Sequence, residues 1–134
     1  MKFRSDVSGY VTGVRFYKGV GNTGTHVANL WSSSGTLLAS ATFTSETATG
    51  WQQVNFASPV AVTAGATYVV SYHTGSGHYA QDVNYFANGV DKAPLHAPST
   101  ASSGGNGVYA YGGSGFPTNT WNASNYWVDV VFHR

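Results

Sequence analysis

The sequence predicts an all-β protein: an antiparallel β-sandwich, jelly-roll-like, of about eight or more strands with no substantial helix. Three observations predict it. Apolar residues recur with a period of two along most of the chain, which marks half-buried strands. Turn-forming residues, among them 17 Gly and four Pro, break that alternation at short intervals, as sandwiches require. No stretch carries apolar residues at i, i+3, i+4 and i+7 for long enough to build a stable helix.

The first long strand sets Tyr10, Thr12, Val14 and Phe16 against Val11, Gly13, Arg15 and Tyr17. In the second, which starts at His26, Ala28 and Leu30 alternate with Val27, Asn29 and Trp31. The third places Leu37, Ala39, Ala41 and Phe43 on one face, and Ser32-Ser33-Ser34-Gly35-Thr36 before it is a short polar hairpin loop. Further strands are expected at Gln52–Phe56, Val60–Val62, Thr67–His73, Gly107–Tyr111 and Tyr126–His133. Tyr68, Val70 and Tyr72 share a core face, as do Tyr126, Val128, Val130 and Phe132. The rhythm fails twice. From Ala87 to Gly107 the chain is rich in Gly, Pro, Ser and Ala, and a connection of about 20 residues is uncommon in a compact domain. Its apolar anchors Val90 and Leu95 and its prolines should pack it over one end of the sandwich. Gly112 to Asn125 is also irregular and holds Phe116 and Trp121. Loops present side chains to partners, so these two segments are where a site is expected.

The 134 residues make one domain, 1-134, with room for a real core. Charged residues are 8% of the chain, against roughly 25% in an average soluble protein. Six basic and five acidic side chains give a net charge of +1. Lys2, Arg4, Arg15 and Lys18 are spread and interrupted by Asp6, which makes a poor nucleic-acid footprint. Aromatics are 15% of the chain, which argues against disorder. There is no cysteine, hence no disulfide framework and no zinc-finger site. No apolar run approaches a membrane span of about 18 residues, and MKFRSDVSGY lacks the apolar segment of a signal peptide. Met1 stands directly on strand-like sequence, as expected of a domain excised from a larger secreted protein whose signal lies upstream. A monomer is expected.

The acids are few: Asp6, Glu46, Asp82, Asp91 and Asp129. None lies in a motif for hydrolysis by paired carboxylates. Asp129, mid-strand, reads first as a cross-strand ion pair with Arg15, and Glu46 as a solvated loop charge. No G-x-S-x-G precedes a helix, so a nucleophile elbow is absent. His73 and His78 bracket a Gly-Ser-Gly turn, and with His96 they are weak candidates for a transition-metal cluster. They are also the one cluster through which an enzyme would work. The structural reading is that His73 ends its strand facing solvent and His78 bonds near its turn. Calcium accepts amide and backbone oxygens, which makes Asp6, Asp82 and Asp91 weak candidates for a structural calcium ion, with Asn22, Asn84 and Asn88 nearby in loops. Ordinary turn chemistry favours the same residues. The expected cofactor is none, or that calcium ion.

The remaining feature is aromatic. Tyr79, Tyr85, Tyr109, Tyr111, Phe116, Trp121 and Trp127 crowd the later half amid Asn, Gly, Ser and Thr. Flat apolar rings beside neutral amides and hydroxyls suit a neutral sugar, whose ring has C–H faces and hydroxyl edges. Strand aromatics are usually core, and Tyr126 reads as core. The expected ligand-binding set is Trp121, Tyr109, Tyr111, Tyr79, His78, Trp31 and Asn119. Trp121 leads it because it stands between polar loop residues; Trp31 shares a face with Asn29.

Several blocks carry a family likeness. They are Ser8-Gly9-Tyr10-Val11-Thr12-Gly13-Val14-Arg15-Phe16-Tyr17-Lys18-Gly19, Leu30-Trp31-Ser32-Ser33, Gly50-Trp51-Gln52-Gln53-Val54 and Tyr68-Val69-Val70-Ser71-Tyr72-His73. Phe116-Pro117-Thr118-Asn119-Thr120-Trp121-Asn122 and Asn125-Tyr126-Trp127-Val128-Asp129-Val130-Val131-Phe132 close it. Together they resemble a bacterial domain-of-unknown-function family found in large secreted actinobacterial proteins, beside immunoglobulin-like or fibronectin-like modules and sometimes glycan-active enzymes. The resemblance implies a secreted β-sandwich accessory module and transfers no catalytic residue. The functional expectation is a non-catalytic carbohydrate-binding module for a neutral polysaccharide. A spacer or adhesion domain contacting proteins is the alternative, and a histidine-cluster enzyme comes third. Nucleic acid and membrane insertion are not expected.

Overall fold

The period-two pattern resolves into eleven strands in a computed structural model that describes all residues, Met1–Arg134. In chain order they are β1 (Lys2–Ser5), β2 (Gly9–Lys18), β3 (His26–Ser32), β4 (Leu37–Thr42), β5 (Gly50–Val62) and β6 (Thr67–Thr74). There follow β7 (Val90–Lys92), β8 (Leu95–Ala97), β9 (Val108–Tyr109), β10 (Asn119–Thr120) and β11 (Val128–His133). A one-turn helix, α1 (Thr100–Ser103), and a 3-10 turn at Tyr85–Ala87 are the only helical pieces. No helix is long and apolar enough to cross a membrane. The six-stranded sheet runs β4-β3-β6-β1-β8-β7, the three-stranded sheet β11-β2-β5, and β9-β10 form a small ribbon. Every pairing is antiparallel. The fold is an antiparallel β-sandwich in which the chain passes repeatedly between the two sheets.

The main core lies between the sheets. Phe3, Ala28, Leu30 and Val70 from the larger sheet meet Val11, Val14, Phe16, Phe56, Val62, Val128 and Val130 from the smaller one. Phe16 sits at its centre, stacked on Tyr72 at 4.3 Å and edge-on to Phe43 at 4.8 Å.

Several strand expectations change in the structure. The two faces assigned to β2 do not hold along its length, because Gly13 and Val11 pair with the consecutive Val131 and Phe132 of β11, which leaves Thr12 as an extra residue in β2. Such a bulge reverses the alternation, so Val11 points inward with Val14 and Phe16, and Tyr10 is exposed. The strands expected at Gln52–Phe56 and Val60–Val62 are one strand, β5, continuous past the bulge. The strand expected at Gly107–Tyr111 shrinks to β9. That expected from Tyr126 starts at Val128, since Trp127 takes a left-handed φ of 56°. The Ala87–Gly107 segment forms the hairpin β7–β8, which adds to the edge of the six-stranded sheet at β1 rather than lying over one end. Leu95 packs on the core as anticipated, while Val90 is exposed.

Asn106, fully buried, fastens the return of the chain by acting as a substitute strand. Its Oδ1 accepts from the Lys2 and Gly107 amides, and its Nδ2 donates to the Lys2 and Pro98 carbonyls. At the other end Glu46 is not the solvated charge expected. It lies 3.2 Å from Lys18 Nζ and 2.8 Å from His26 Nδ1, with all three side chains largely or wholly buried. His26 Nε2 faces Asn22 Oδ1 at 2.8 Å. This network ties the β2–β3 and β4–β5 loops together. Asp129 stands opposite Arg15 as expected, yet the two form no close ion pair. Burial raises the Asp129 pKa, Arg15 draws it partly back, and the Arg15 guanidinium lies over the Trp51 ring at 5.5 Å.

Candidate functional site

The outer face of the six-stranded sheet is roofed by the chain from Asn106 to Trp127, and the gap beneath is a cleft of about 540 Å³. That size is within the usual range for small-ligand sites. The floor comes from β3 and β6, which present Asn29, Ser71 and His73. The walls are aromatic: Tyr79, Tyr109, Tyr111, Tyr126 and Trp121. Their rings pack edge-to-face in a chain, with Tyr111–Tyr109 at 5.5 Å, Tyr109–Tyr126 at 6.1 Å and Tyr126–Tyr79 at 5.5 Å. Trp121 is half exposed and Tyr111 is 82% exposed, so the rim offers unused ring faces.

The walls are fixed locally. The loop carrying Trp121 is bolted to the Asp82–Phe86 segment by backbone bonds from Asn84 to Asn122 (2.7 Å), from Phe86 to Ala123 (2.9 Å) and across the Asp82–Asn125 bridge. Ser124 Oγ donates to the Trp121 carbonyl at 2.8 Å. Gly107, with φ of 77°, lets the Ser124 carbonyl approach so closely that a Cβ there would overlap it. Only glycine fits that position. The Gly112–Gly115 strap is held by two floor side chains. His73 Nε2 donates to the Gly112 carbonyl at 2.9 Å, and Asn29 Nδ2 donates to Ser114 Oγ at 2.5 Å.

The cleft lining holds no Asp, Glu, Lys or Arg. Two of its wall phenols, Tyr79 and Tyr126, resist ionisation. Burial, then the nearness of Tyr111, raises the Tyr79 pKa; burial, then Tyr79, raises that of Tyr126. On the inner face of β6, burial pushes the Tyr72 phenol up to about 12. The surface facing a ligand therefore carries no carboxylate, ammonium or guanidinium side chain. It combines C–H-stacking rings with amide and hydroxyl groups.

Of the residues expected from sequence, Trp121, Tyr109, Tyr111 and Tyr79 meet at this cleft. Three do not. Trp31 is buried, not presented. Phe116 covers it edge-on at 5.5 Å, and its Nε1 donates to Ser71 Oγ at 2.9 Å. Its strand face looked polar only because the roof that makes it interior comes from a distant segment. Asn119 is exposed on β10 opposite Tyr109, outside the cleft. His78 turns toward the β2–β3 loop, its ring beside Gly21. Tyr126, expected in the core, is instead half-buried outside it and walls the cleft against Tyr79 and Tyr109; Asn29, Ser71, His73 and Gln81 line the cleft without having been expected in the ligand-binding set. The alternation that placed Asn29 and Ser71 on the face away from the core was the available signal.

Neither expected metal set assembles: only His96, Asp6 and Asp91 meet, as a hydrogen-bonded clamp. His73 bonds Gly112, His78 lies by Gly21, and His96 sits between two carboxylates, 2.5 Å from Asp6 and 2.5 Å from Asp91. Asp6 and Asp91 thus serve the imidazole, which raises the His96 pKa and lowers that of Asp6. Asp82 is elsewhere, accepting from Trp127 Nε1 at 2.6 Å. No three His, Asp or Glu side chains converge to hold a metal ion.

A family model described as a domain of unknown function (DUF4082) matches residues 1–128. No curated protein and no solved structure matches the chain. The family match takes in the whole roof and every strand except β11, of which it reaches only Val128. The chain belongs to this family of domains of unknown function, DUF4082.

Proposed function

We propose that the chain is a non-catalytic carbohydrate-binding module that attaches a secreted bacterial multidomain protein to a neutral polysaccharide. One observation carries this reading: a cleft walled by five aromatic side chains and floored by amides and hydroxyls, with no charged carboxylate, ammonium or guanidinium side chain in its lining. Aromatic faces stack on the C–H faces of a sugar ring, and Tyr hydroxyls and Asn or Ser side chains bond its hydroxyls. An anionic ligand would find no Lys or Arg side chain there. None of the five acids lines the cleft, so a paired-carboxylate hydrolysis has no place to occur in it. Binding needs no metal in this reading, and a structural calcium ion forms no part of it.

The test is electrophoresis in native gels containing soluble neutral polysaccharides such as mixed-linkage β-glucan, xylan and glucomannan. The expected result is retardation of the wild type by at least one of them. Trp121→Ala should weaken it tenfold or more with an unchanged circular-dichroism spectrum. Absence of retardation across a broad glycan panel would favour the spacer or adhesion reading.

A further inference from the structure

The sandwich carries a second aromatic surface, on its opposite side. The outer face of the three-stranded sheet is not roofed, and its register sets out three rows. Tyr17 lies opposite Trp51, and its amide donates to the Trp127 carbonyl, so the first row is wholly aromatic. Tyr17–Trp51 centroids are 5.6 Å apart, Trp51–Trp127 6.4 Å and Trp127–Tyr85 5.1 Å. Trp51, Tyr17 and Tyr85 are each about two-fifths exposed or more. The second row is Asp129, Arg15 and Gln53. The third is Val131, Gly13 and Asn55.

These rings are presented, not merely left over. Asp82 Oδ2 fixes the Trp127 indole at 2.6 Å, and Arg15 lies over Trp51 at 5.5 Å, within cation–π range. That stacking orients a guanidinium which makes no close ion pair. Gln53 Nε2 donates to Asn55 Oδ1 at 3.1 Å, aligning two amides beside it. A Cβ at Gly13 would come 2.5 Å from the Val54 carbonyl oxygen and 2.7 Å from Asn55 Oδ1, so the middle of the third row stays low. The result is a shallow face with an aromatic strip and, alongside it, a strip of planar hydrogen-bonding groups.

The chemistry selects the occupant. One cation and one anion face each other, which leaves the patch without net charge and without the basic stripe a nucleic acid needs. Val131 is the lone aliphatic side chain of the three rows, and a protein partner would have to desolvate Arg15, Asp129, Gln53 and Asn55 in the middle of its interface. A sugar chain leaves those groups paired, because its hydroxyls replace water on them. We propose that this face binds the surface of an insoluble neutral polysaccharide, where parallel chains present a flat array that the cleft is too enclosed to meet. The proposal does not depend on the cleft reading, since no residue of the three rows lines the cleft.

The test is co-sedimentation with microcrystalline cellulose and with chitin particles, using wild type, Trp51→Ala, Arg15→Ala and Trp121→Ala. The expected result is binding to at least one particle, weakened tenfold or more by Trp51→Ala and severalfold by Arg15→Ala, and less than twofold by Trp121→Ala. Retardation by soluble glycans should survive Trp51→Ala. If Trp51→Ala does not fold, Arg15→Ala and Gln53→Ala carry the same reading. Wild type that binds neither particle, or Trp51→Ala and Arg15→Ala both binding as wild type does, would overturn the proposal. So would a Trp51-dependent dimer in sedimentation equilibrium, which would assign the face to a second copy of the chain.

Discussion

Trp31 and Trp51 belong to strands of the same sandwich, both on faces turned away from the main core, and their fates are opposite. Trp31 lies under Phe116 and beside Val69 and Val108, in a small second core created by the roof. Trp51 lies on the bare face of the smaller sheet, nearly half exposed. The difference teaches that a sheet face is made interior or exterior by a segment far away in sequence. Here the segment is the Gly-rich stretch after β9, and by covering one face it also forms the cleft.

The sharpest way to break that comparison is to truncate both rings. Trp31→Ala removes a buried indole and a hydrogen bond, and should cost about 3–5 kcal/mol in urea denaturation. Trp51→Ala should cost roughly 1 kcal/mol, the worth of its ring contacts on the open face. Equal losses would mean that the two faces are not differently covered.

The next effect concerns the loop end of the sandwich. Glu46→Ala leaves the Lys18 ammonium without its counter-charge and His26 Nδ1 without its hydrogen-bond partner in a largely buried site, and breaking such a buried pair costs on the order of 3 kcal/mol. Chemical denaturation should show it as a lower midpoint at unchanged slope. An exposed Glu46, as the sequence suggested, would give almost none.

The smallest effect belongs to the edge hairpin. His96 gains two carboxylates on folding, so its pKa is raised. Its contribution is complete below the unfolded value of about 6.5 and is lost as pH rises through the folded value. Asp6 is lowered, first by its hydrogen bond to His96. Its share is present above the unfolded value and is lost as pH falls through the folded one. Wild type should therefore gain most over His96→Ala in mildly acid solution, with the gap in melting temperature closing toward alkaline pH and again in strong acid. A gap independent of pH would show that the clamp is not ionic.

The alternation made the sheets legible in the sequence, and the polar spacing singled out Trp121, Tyr109, Tyr111 and Tyr79. What escaped was long-range. The bulge in β2 displaced Val11 from its expected face, because a one-residue insertion leaves no compositional trace. Trp31 looked accessible because local pattern cannot reveal a lid. Glu46 looked solvated because its partners Lys18 and His26 are 28 and 20 positions away by number. The Trp51–Tyr17 row was invisible for a related reason: only the strand register brings those rings side by side.

The four tryptophans report on three different places: Trp31 under the roof, Trp121 at the cleft rim, and Trp51 and Trp127 on the open face. Titrating ¹⁵N-labelled protein with short soluble neutral oligosaccharides, while following the four indole N–H signals, therefore tests the central claim directly. A cleft that binds neutral sugar predicts that the Trp121 signal moves and saturates while Trp51 stays in place. Binding that leaves Trp121 unmoved, or a full glycan panel that moves none of the four, would contradict it.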